Sequence, residues 1–330
     1  MNSFGRIFRI SIFGESHGEC VGITIDGCPA GLSLIPEDLL PDLERRKGGK
    51  QKGTTPRQEE DFPIFKSGIF NGKTTGFPIT ILFDNKNTRS EDYNKQRSIP
   101  RPGHADWVAH QKFGGNEDYR GGGHFSARLT TGIVAAGAIA KKLIDEISIH
   151  AEVIEIAGEK DLEKGLQKAI DAKDSVGGII ECRVSGLPVG LGEPYFDSIE
   201  SMLSHILFAI PAVKGVEFGA GFAAAKMFGS QHNDAIENRE GKTRTNHAGG
   251  IVGGISNGNE LVFRLAVKPT SSTPKEQNSL NWETGKTENF SIKGRHDLCV
   301  ALRAPVIVEA VTALVLADFM LLEQKIKRIQ

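Results

Sequence analysis

Residues 129–147 read LTTGIVAAGAIAKKLIDEI. Leu129, Ile133, Ala136, Ala140, Leu143 and Ile147 recur at helical spacing, with Ser126 near the start as a cap, so the stretch predicts a helix with an apolar face. Gly132, Ala135, Gly137 and Ala138 leave room for a neighbour to approach closely. A second apolar run, 305–322, contains Glu309 and Asp318. An acid near the centre of a membrane helix costs about 2.5–3.5 kcal/mol, so this run reads as a buried helix of a soluble protein.

Strands surround these helices. Ile7–Phe13 and Val21–Asp26 are short, β-branched runs bounded by glycine, and they predict a strand pair around GESHGE, with His17 on the connection. IPEDLLPDLERR (35–46) predicts a helix: Pro36 suits its first turn, acids follow, and Arg45 and Arg46 suit its end. GGIIECRVSG (177–186) and 260–268 predict strands, and 198–209 a helix through Ile199, Met202, Leu203 and Ile206. Lys47–Pro56 reads as a basic loop and Asp84–Tyr119 as a long polar binding loop or lid. Residues 148–178 read as a variable, charged stretch, and a composition shift there marks the best domain boundary. Strands outnumber crossover helices and short turns join neighbours, so an α+β sandwich is expected over a doubly wound sheet. The 330 residues read as a single domain, with pseudo-halves at about 1–150 and 175–330 as the alternative.

Composition narrows the function. Forty basic and 41 acidic side chains leave a net charge of -1, so anions must be held by local clusters. Cys20, Cys28, Cys182 and Cys299 form neither a CxxC pair nor a disulfide framework, which points to a reducing, cytoplasmic setting. The N-terminus has no apolar core of a secretory signal. No HExxH or similar spacing appears, so no metal is expected.

Three groups of residues could carry chemistry. His17 in GESHG, His104 in RPGHAD and His296 in KGRHD lie beside glycine or charge, as either exposed turn histidines or acid–base groups. Arg45, Arg46, Lys47, Lys50, Lys52 and Arg57 follow one another without an acid, as either a solvated face or an anion clamp. Nucleic acid is the poorer partner for them, since 3 Tyr and 2 Trp offer little base stacking. YRGGGHFSAR (119–128) and KPTSST (268–273) could each bind phosphate or simply turn, and neither matches a P-loop or a GxGxxG fingerprint.

GESHG, DLERR, RPGHADW, YRGGGHFSARLT, NHAGGIVGGISNG, KPTSS and KGRHDLC, in this order along nearly the whole chain, closely resemble the chorismate synthase family. The resemblance implies helices sandwiched between antiparallel sheets in a homotetramer. It implies conversion of 5-enolpyruvylshikimate 3-phosphate to chorismate with reduced flavin mononucleotide (FMNH2) as cofactor. His17 would protonate the departing phosphate, His104 would serve the flavin, and Asp297 with Ser16 and Ser126 would help remove the substrate proton. Arg46, Lys52, Arg101, Arg128 and Arg295 would bind substrate. His124, Phe125, Ser126, Pro211, Ala212, Gly253, Lys268, Pro269, Thr270, Ser271, Ser272 and Arg295 would hold the flavin. Lys52 stands where many relatives carry arginine, which keeps the charge without the bidentate fork. GGGHFSAR replaces a more frequent Arg-Ser-Ser version, and 150–176 is shorter than in many bacterial relatives. No region for an intrinsic flavin reductase is seen, so reduced flavin, by an NADP-linked route or another, would come from an external reductant.

Overall fold

The computed structural model describes residues 2–49, 52–55, 59–87, 97–292 and 296–323. The expected opening pair is present. β1 (Ser3–Phe4), β2 (Arg9–Gly14) and β3 (Cys20–Asp26) run antiparallel, with the GESHG turn between the last two. The helix expected over 35–46 is split into a 3-10 turn, Pro36–Leu39, and α1 (Leu40–Arg46). Pro41 has no N–H to give, which breaks the α-helical ladder there. β4 (Ile64–Ser67), the hairpin β5 (Ile69–Phe70) and β6 (Lys73–Thr74), and β7 (Ile79–Asp84) follow. Among the described residues one antiparallel sheet has the order β1-β2-β3-β7-β4. In its centre Val21 faces Phe83, Ile23 faces Ile81 and Ile25 faces Ile79, all buried, so side chains alternating along each strand give one apolar face.

The long polar stretch from 84 to 119 holds a helix, α2 (Asp106–Phe113), while 88–96 lie outside the described residues. Only Ala109 of α2 is buried, so the sequence carries no apolar stripe to reveal it. α3 (Thr130–Leu143) is the helix expected from 129, but it stops before Ile147 because Ile144 leaves the helical region at φ -122. Every residue from Thr130 to Ala140 is buried.

The second half contains β8 (Ser148–Ile156), α4 (Leu162–Ala172), β9 (Gly178–Ser185), α5 (Ile199–Leu207), β10 (Val213–Phe218) and α6 (Gly229–His232). It continues with β11 (Ile251–Val252), β12 (Ile255–Ser256), β13 (Leu261–Val267), β14 (Gln277–Asn281), β15 (Lys286–Phe290) and α7 (Pro305–Leu322). A second antiparallel sheet has the order β10-β13-β9-β8. The segment 148–178 is therefore regular: β8 pairs with β9 from Ser148 opposite Ser185 to Ile156 opposite Gly178. The composition shift falls inside a sheet. β8 is an edge strand that fully buries only Ala151 and Ile156, too few for a visible alternation.

α3 packs on β2, β3 and β7, α7 packs on β8 and β9, and the two helices pack on each other. The result is sheet, helices, sheet: the expected α+β sandwich. A Cβ on Gly137 would stand 2.3 Å from that of Ala310, so α3 and α7 meet backbone to backbone. α7 is long and apolar enough to span a bilayer, yet it is the core helix here, buried from Val306 to Phe319. Its two acids are matched inside the fold. Asp318 accepts the backbone N–H groups of Arg6, Ile7 and Phe8 at 2.9, 2.7 and 2.9 Å. Glu309 takes both Nη atoms of Arg45 at 2.7 Å, Lys141 at 2.9 Å and the Ala151 N–H at 3.1 Å.

Candidate active site

The turns at one end of this sandwich bring distant motifs together. His17, on the β2–β3 connection, is buried. Gly121, Gly122 and Gly123 follow one another with φ of 60, 82 and 53, a left-handed run that side chains disfavour. Their bare backbone lies against two imidazoles: a Cβ on Gly121 would stand 2.6 Å from Nε2 of His17, and one on Gly122 3.4 Å from Nε2 of His104. The Gly123 carbonyl accepts the Ser16 N–H at 3.1 Å, and His124 Nδ1 donates to the Gly14 carbonyl at 2.9 Å. Ser126 caps the next turn, its hydroxyl accepting the Arg128 N–H at 3.3 Å.

Asp106 organises the RPGHAD loop. Its carboxylate accepts Nε and Nη2 of Arg101, each at 2.7 Å, and meets His104 Nδ1 at 2.5 Å. Burial would raise its pKa, but the bonds from Arg101 and His104 outweigh that and hold it far below the usual range. Arg101 Nη2 also lies 2.9 Å from His104 Nδ1. That nitrogen cannot donate to Asp106 and accept from Arg101 at once; the ionised carboxylate fixes the proton on Nδ1 and leaves Nε2 as the reactive nitrogen. Arg101 Nη1 reaches the Ser272 hydroxyl at 3.2 Å, which ties this loop to KPTSS.

The basic run divides. Arg45 turns to Glu309 in the core, whereas Arg46 turns into the site, where its Nη2 donates to Asp61 at 2.8 Å. Asp61 also binds Nη1 of Arg128 through its other oxygen. All three side chains are buried. Burial opposes the Asp61 charge, but the two guanidinium groups prevail and hold its pKa at about 2. Burial pulls the Arg128 pKa down from its ordinary value.

A cavity of about 620 Å³ connects these parts, within the size range of small-molecule sites. Of the residues named from the sequence, His17, Arg46, Lys47, Arg101, His104, His124, Phe125, Ser126, Arg128, Pro211, Ala212, Lys268, Thr270, Ser271, Ser272, His296 and Asp297 line it. The Ala212 carbonyl accepts the Lys268 N–H at 2.8 Å, which joins the IPAVKG and KPTSS walls. Lys268 Nζ donates to Ser271 Oγ at 2.8 Å, and burial lowers its pKa. Asp297 accepts the Thr55 N–H at 2.8 Å.

Four named residues sit elsewhere. Ser16 lies behind Gly121, its Oγ 3.1 Å from where a Cβ would project. Lys52 is exposed and bonds Gln167 at 3.3 Å. Pro269 is beside the wall, its carbonyl accepting Lys268 Nζ at 3.2 Å. Gly253, in the β11–β12 turn, faces open space next to the exposed Val252. Arg295 lies outside the described residues, as do Lys50 and Arg57.

Sequence reading missed three groups that the cavity exposes or depends on, Asp61, Asp106 and Arg303. Asp61 and Asp106 hold the arginines; Asp106 is two residues from His104 and could have been found in RPGHAD, while Asp61 follows two other acids with nothing to distinguish it. His296, one of the three histidines singled out from the sequence, lines the wall as well, and burial, with help from Arg101, lowers its pKa to about 4. Arg303 lines it too: Nη1 is 3.7 Å from Asp297, and Nε is buried without a partner among the described residues.

The family model for chorismate synthase matches residues 8–321. A chorismate synthase from Chitinophaga pinensis is 68% identical over 330 residues, covering 100% of this chain and 99% of its own. One from Methanocaldococcus jannaschii is 42% identical over 365 residues, covering 97% of this chain and 96% of its own. A crystal structure of chorismate synthase superposes with a TM-score of 0.74 at 27% identity, covering 97% of this chain and 93% of that one. The chain belongs to the chorismate synthase family.

Proposed function

We propose that this enzyme is a lyase that converts 5-enolpyruvylshikimate 3-phosphate to chorismate by eliminating phosphate, the last step of the shikimate pathway to aromatic amino acids, with reduced flavin mononucleotide as its cofactor. One observation carries the reading: His17, His104 and Asp297, 280 residues apart at the extremes, border a single cavity together with Arg46, Arg101 and Arg128.

The cavity wall suits a flavin phosphate. Thr270 Oγ1 is buried without a partner among the described residues, beside Lys268 and the hydroxyls of Ser271 and Ser272. A phosphate would satisfy that hydroxyl and the ammonium together. Pro211, Ala212, His124 and Phe125 line the rest of the same cavity. A reduced flavin held by these residues would supply electron density that eases C–O cleavage, with no net oxidation overall.

The chain's own groups do the remainder. A substrate with two carboxylates and a phosphate is oriented by the arginines. His17 gives a proton to the phosphate as the C–O bond breaks, since a neutralised leaving group departs more easily. Asp297, with Ser126, assists removal of the substrate proton, its carboxylate kept in place by the Thr55 N–H, while Ser16 stands behind Gly121 and away from the cavity. His104, with Nδ1 committed to Asp106, offers Nε2 to the cofactor. The bond electrons of the departing hydrogen form the new double bond, and phosphate and a proton leave.

The same reading includes a cytoplasmic homotetramer fed with reduced flavin from outside the chain. Four unpaired cysteines are in keeping with a reducing compartment. Tyr195, Phe196, Phe222, Phe228 and Ile236 are more than two-thirds exposed, an apolar surface that copies of the chain would cover.

The test is anaerobic. Purified protein, chemically reduced flavin and the enolpyruvyl substrate should yield chorismate and phosphate in equal amounts. Folded protein that yields neither overturns the reading; phosphate release without flavin would make it a phosphatase. Light scattering decides the tetramer.

A further inference from the structure

Asp61 is the one acid that both Arg46 and Arg128 grip among the described residues, and its place there has three unusual features. Its side chain is 1% exposed, inside the cationic wall of the cavity. Its φ is 50, a left-handed conformation that costs a non-glycine residue energy and tends to persist where function requires it. Each of its oxygens takes a different guanidinium, so one carboxylate spans two arginines from α1 and from the turn before α3.

The donor count of Arg128 sharpens this. A guanidinium has five N–H groups. Nε donates to Asn85 Oδ1 at 2.9 Å, Nη1 to Asp61 and to Thr131 Oγ1 at 3.3 Å, and Nη2 to the Asp84 carbonyl at 3.1 Å. Four are taken and one is left, so Arg128 cannot present a bidentate fork to an anion. Its orientation instead serves Asp61, and through Asp61 it serves Arg46. Glu59 lines the same cavity and also acts on Arg128, so what this wall offers an anion is the direction of Arg46 and not a surplus of charge.

We propose that Asp61 is a positioning residue, an internal counter-ion that stays bound to Arg46 and Arg128 when the substrate anion arrives and fixes the angle at which Arg46 meets it. The proposal rests on the elimination reading above for the identity of that anion. Without Asp61 the two arginines would repel and rotate: the wall would gain charge and lose geometry. Affinity for a shaped polyanion would fall, whereas affinity for a small symmetric anion would not.

Asp61→Asn separates these effects, because asparagine keeps the shape and tolerates left-handed backbone. The expected result is a KM for the phosphorylated substrate raised roughly tenfold or more, with kcat changed less, as misplacement of a binding group predicts. Inorganic phosphate should inhibit at least as strongly as in the unmodified protein. An unchanged KM overturns the proposal. So does a parallel tightening of substrate and phosphate, which would make Asp61 a competitor for the anion site. If the variant does not fold, a crystal structure of the unmodified protein soaked with inorganic phosphate decides: both arginines still on Asp61 supports the proposal, and either one swung onto the phosphate overturns it. Calorimetric phosphate binding and that structure need no turnover, so they judge Asp61 even where the absence of chorismate formation has removed the proposed reaction.

Discussion

Gly121 and His17 touch: a single added carbon on Gly121 would stand 2.5 Å from Cδ2 and 2.6 Å from Nε2 of the imidazole. Gly121 also holds a φ of 60. Gly121→Ala should therefore cost roughly 1–2 kcal/mol of stability through the left-handed backbone alone. It should also push the His17 ring from its place and lower turnover by about 10²-fold, the usual effect of an ångström-scale misplacement. Thermal unfolding and the anaerobic assay measure the two effects separately; wild-type turnover would show that the contact does not position the ring.

His17→Ala and His104→Ala should fold normally and lose about 10²–10⁴-fold in turnover, the range of positioned acid–base groups. Asp106→Asn should fall in the same range with both imidazoles still present, because an amide facing Nδ1 no longer fixes the proton there. Near-normal rates in Asp106→Asn would remove the tautomer argument.

His296 makes stability depend on pH. Its folded pKa is about 4 against an ordinary 6.5, so the unfolded chain binds the extra proton first. Stability is complete above about pH 6.5 and falls as the pH drops toward 4, by up to about 3 kcal/mol from this group. Urea unfolding at pH 7 and pH 4.5 should show the loss, and His296→Gln should flatten it. Equal pH slopes in the two proteins would contradict the assignment.

Arg45 and Arg46 are neighbours with opposite duties. Arg45→Ala removes two charge-assisted bonds to Glu309 and leaves Lys141 and the Ala151 N–H in place, so it should cost about 1–3 kcal/mol in unfolding experiments. Substrate KM should stay within about twofold, since Arg45 does not line the cavity. A large rise in KM would return Arg45 to the anion site.

Elements with strong periodicity were legible from residue order: β3, β9, β13, α3 and α7 each bury a regular set of apolar side chains. β8 and α2 were not, because an edge strand and a mostly exposed helix need little apolar patterning; α4 does carry Leu162, Leu166, Ala169 and Ile170 at helical spacing, a stripe interrupted by charges. The same contrast governs the site. His17, His104 and His296 stand out beside glycine and charge, and Asp297 enters through the family motif KGRHDLC. Asp61, Asp106 and Arg303 look like ordinary surface charges in a one-dimensional reading.

The chain's order of residues by itself determined that two apolar helices must be covered by alternating strands, and that histidines and arginines from distant motifs belong to one family of enzymes. Only the tertiary structure decided which arginine of the adjacent pair faces the core and which faces the cavity. A helix places neighbouring side chains about 100° apart, and the partner on each side comes from a distant segment: Glu309 for Arg45, Asp61 and the neighbourhood of Arg128 for Arg46. Such pairings depend on distance and dielectric in three dimensions, and no spacing along the chain specifies them.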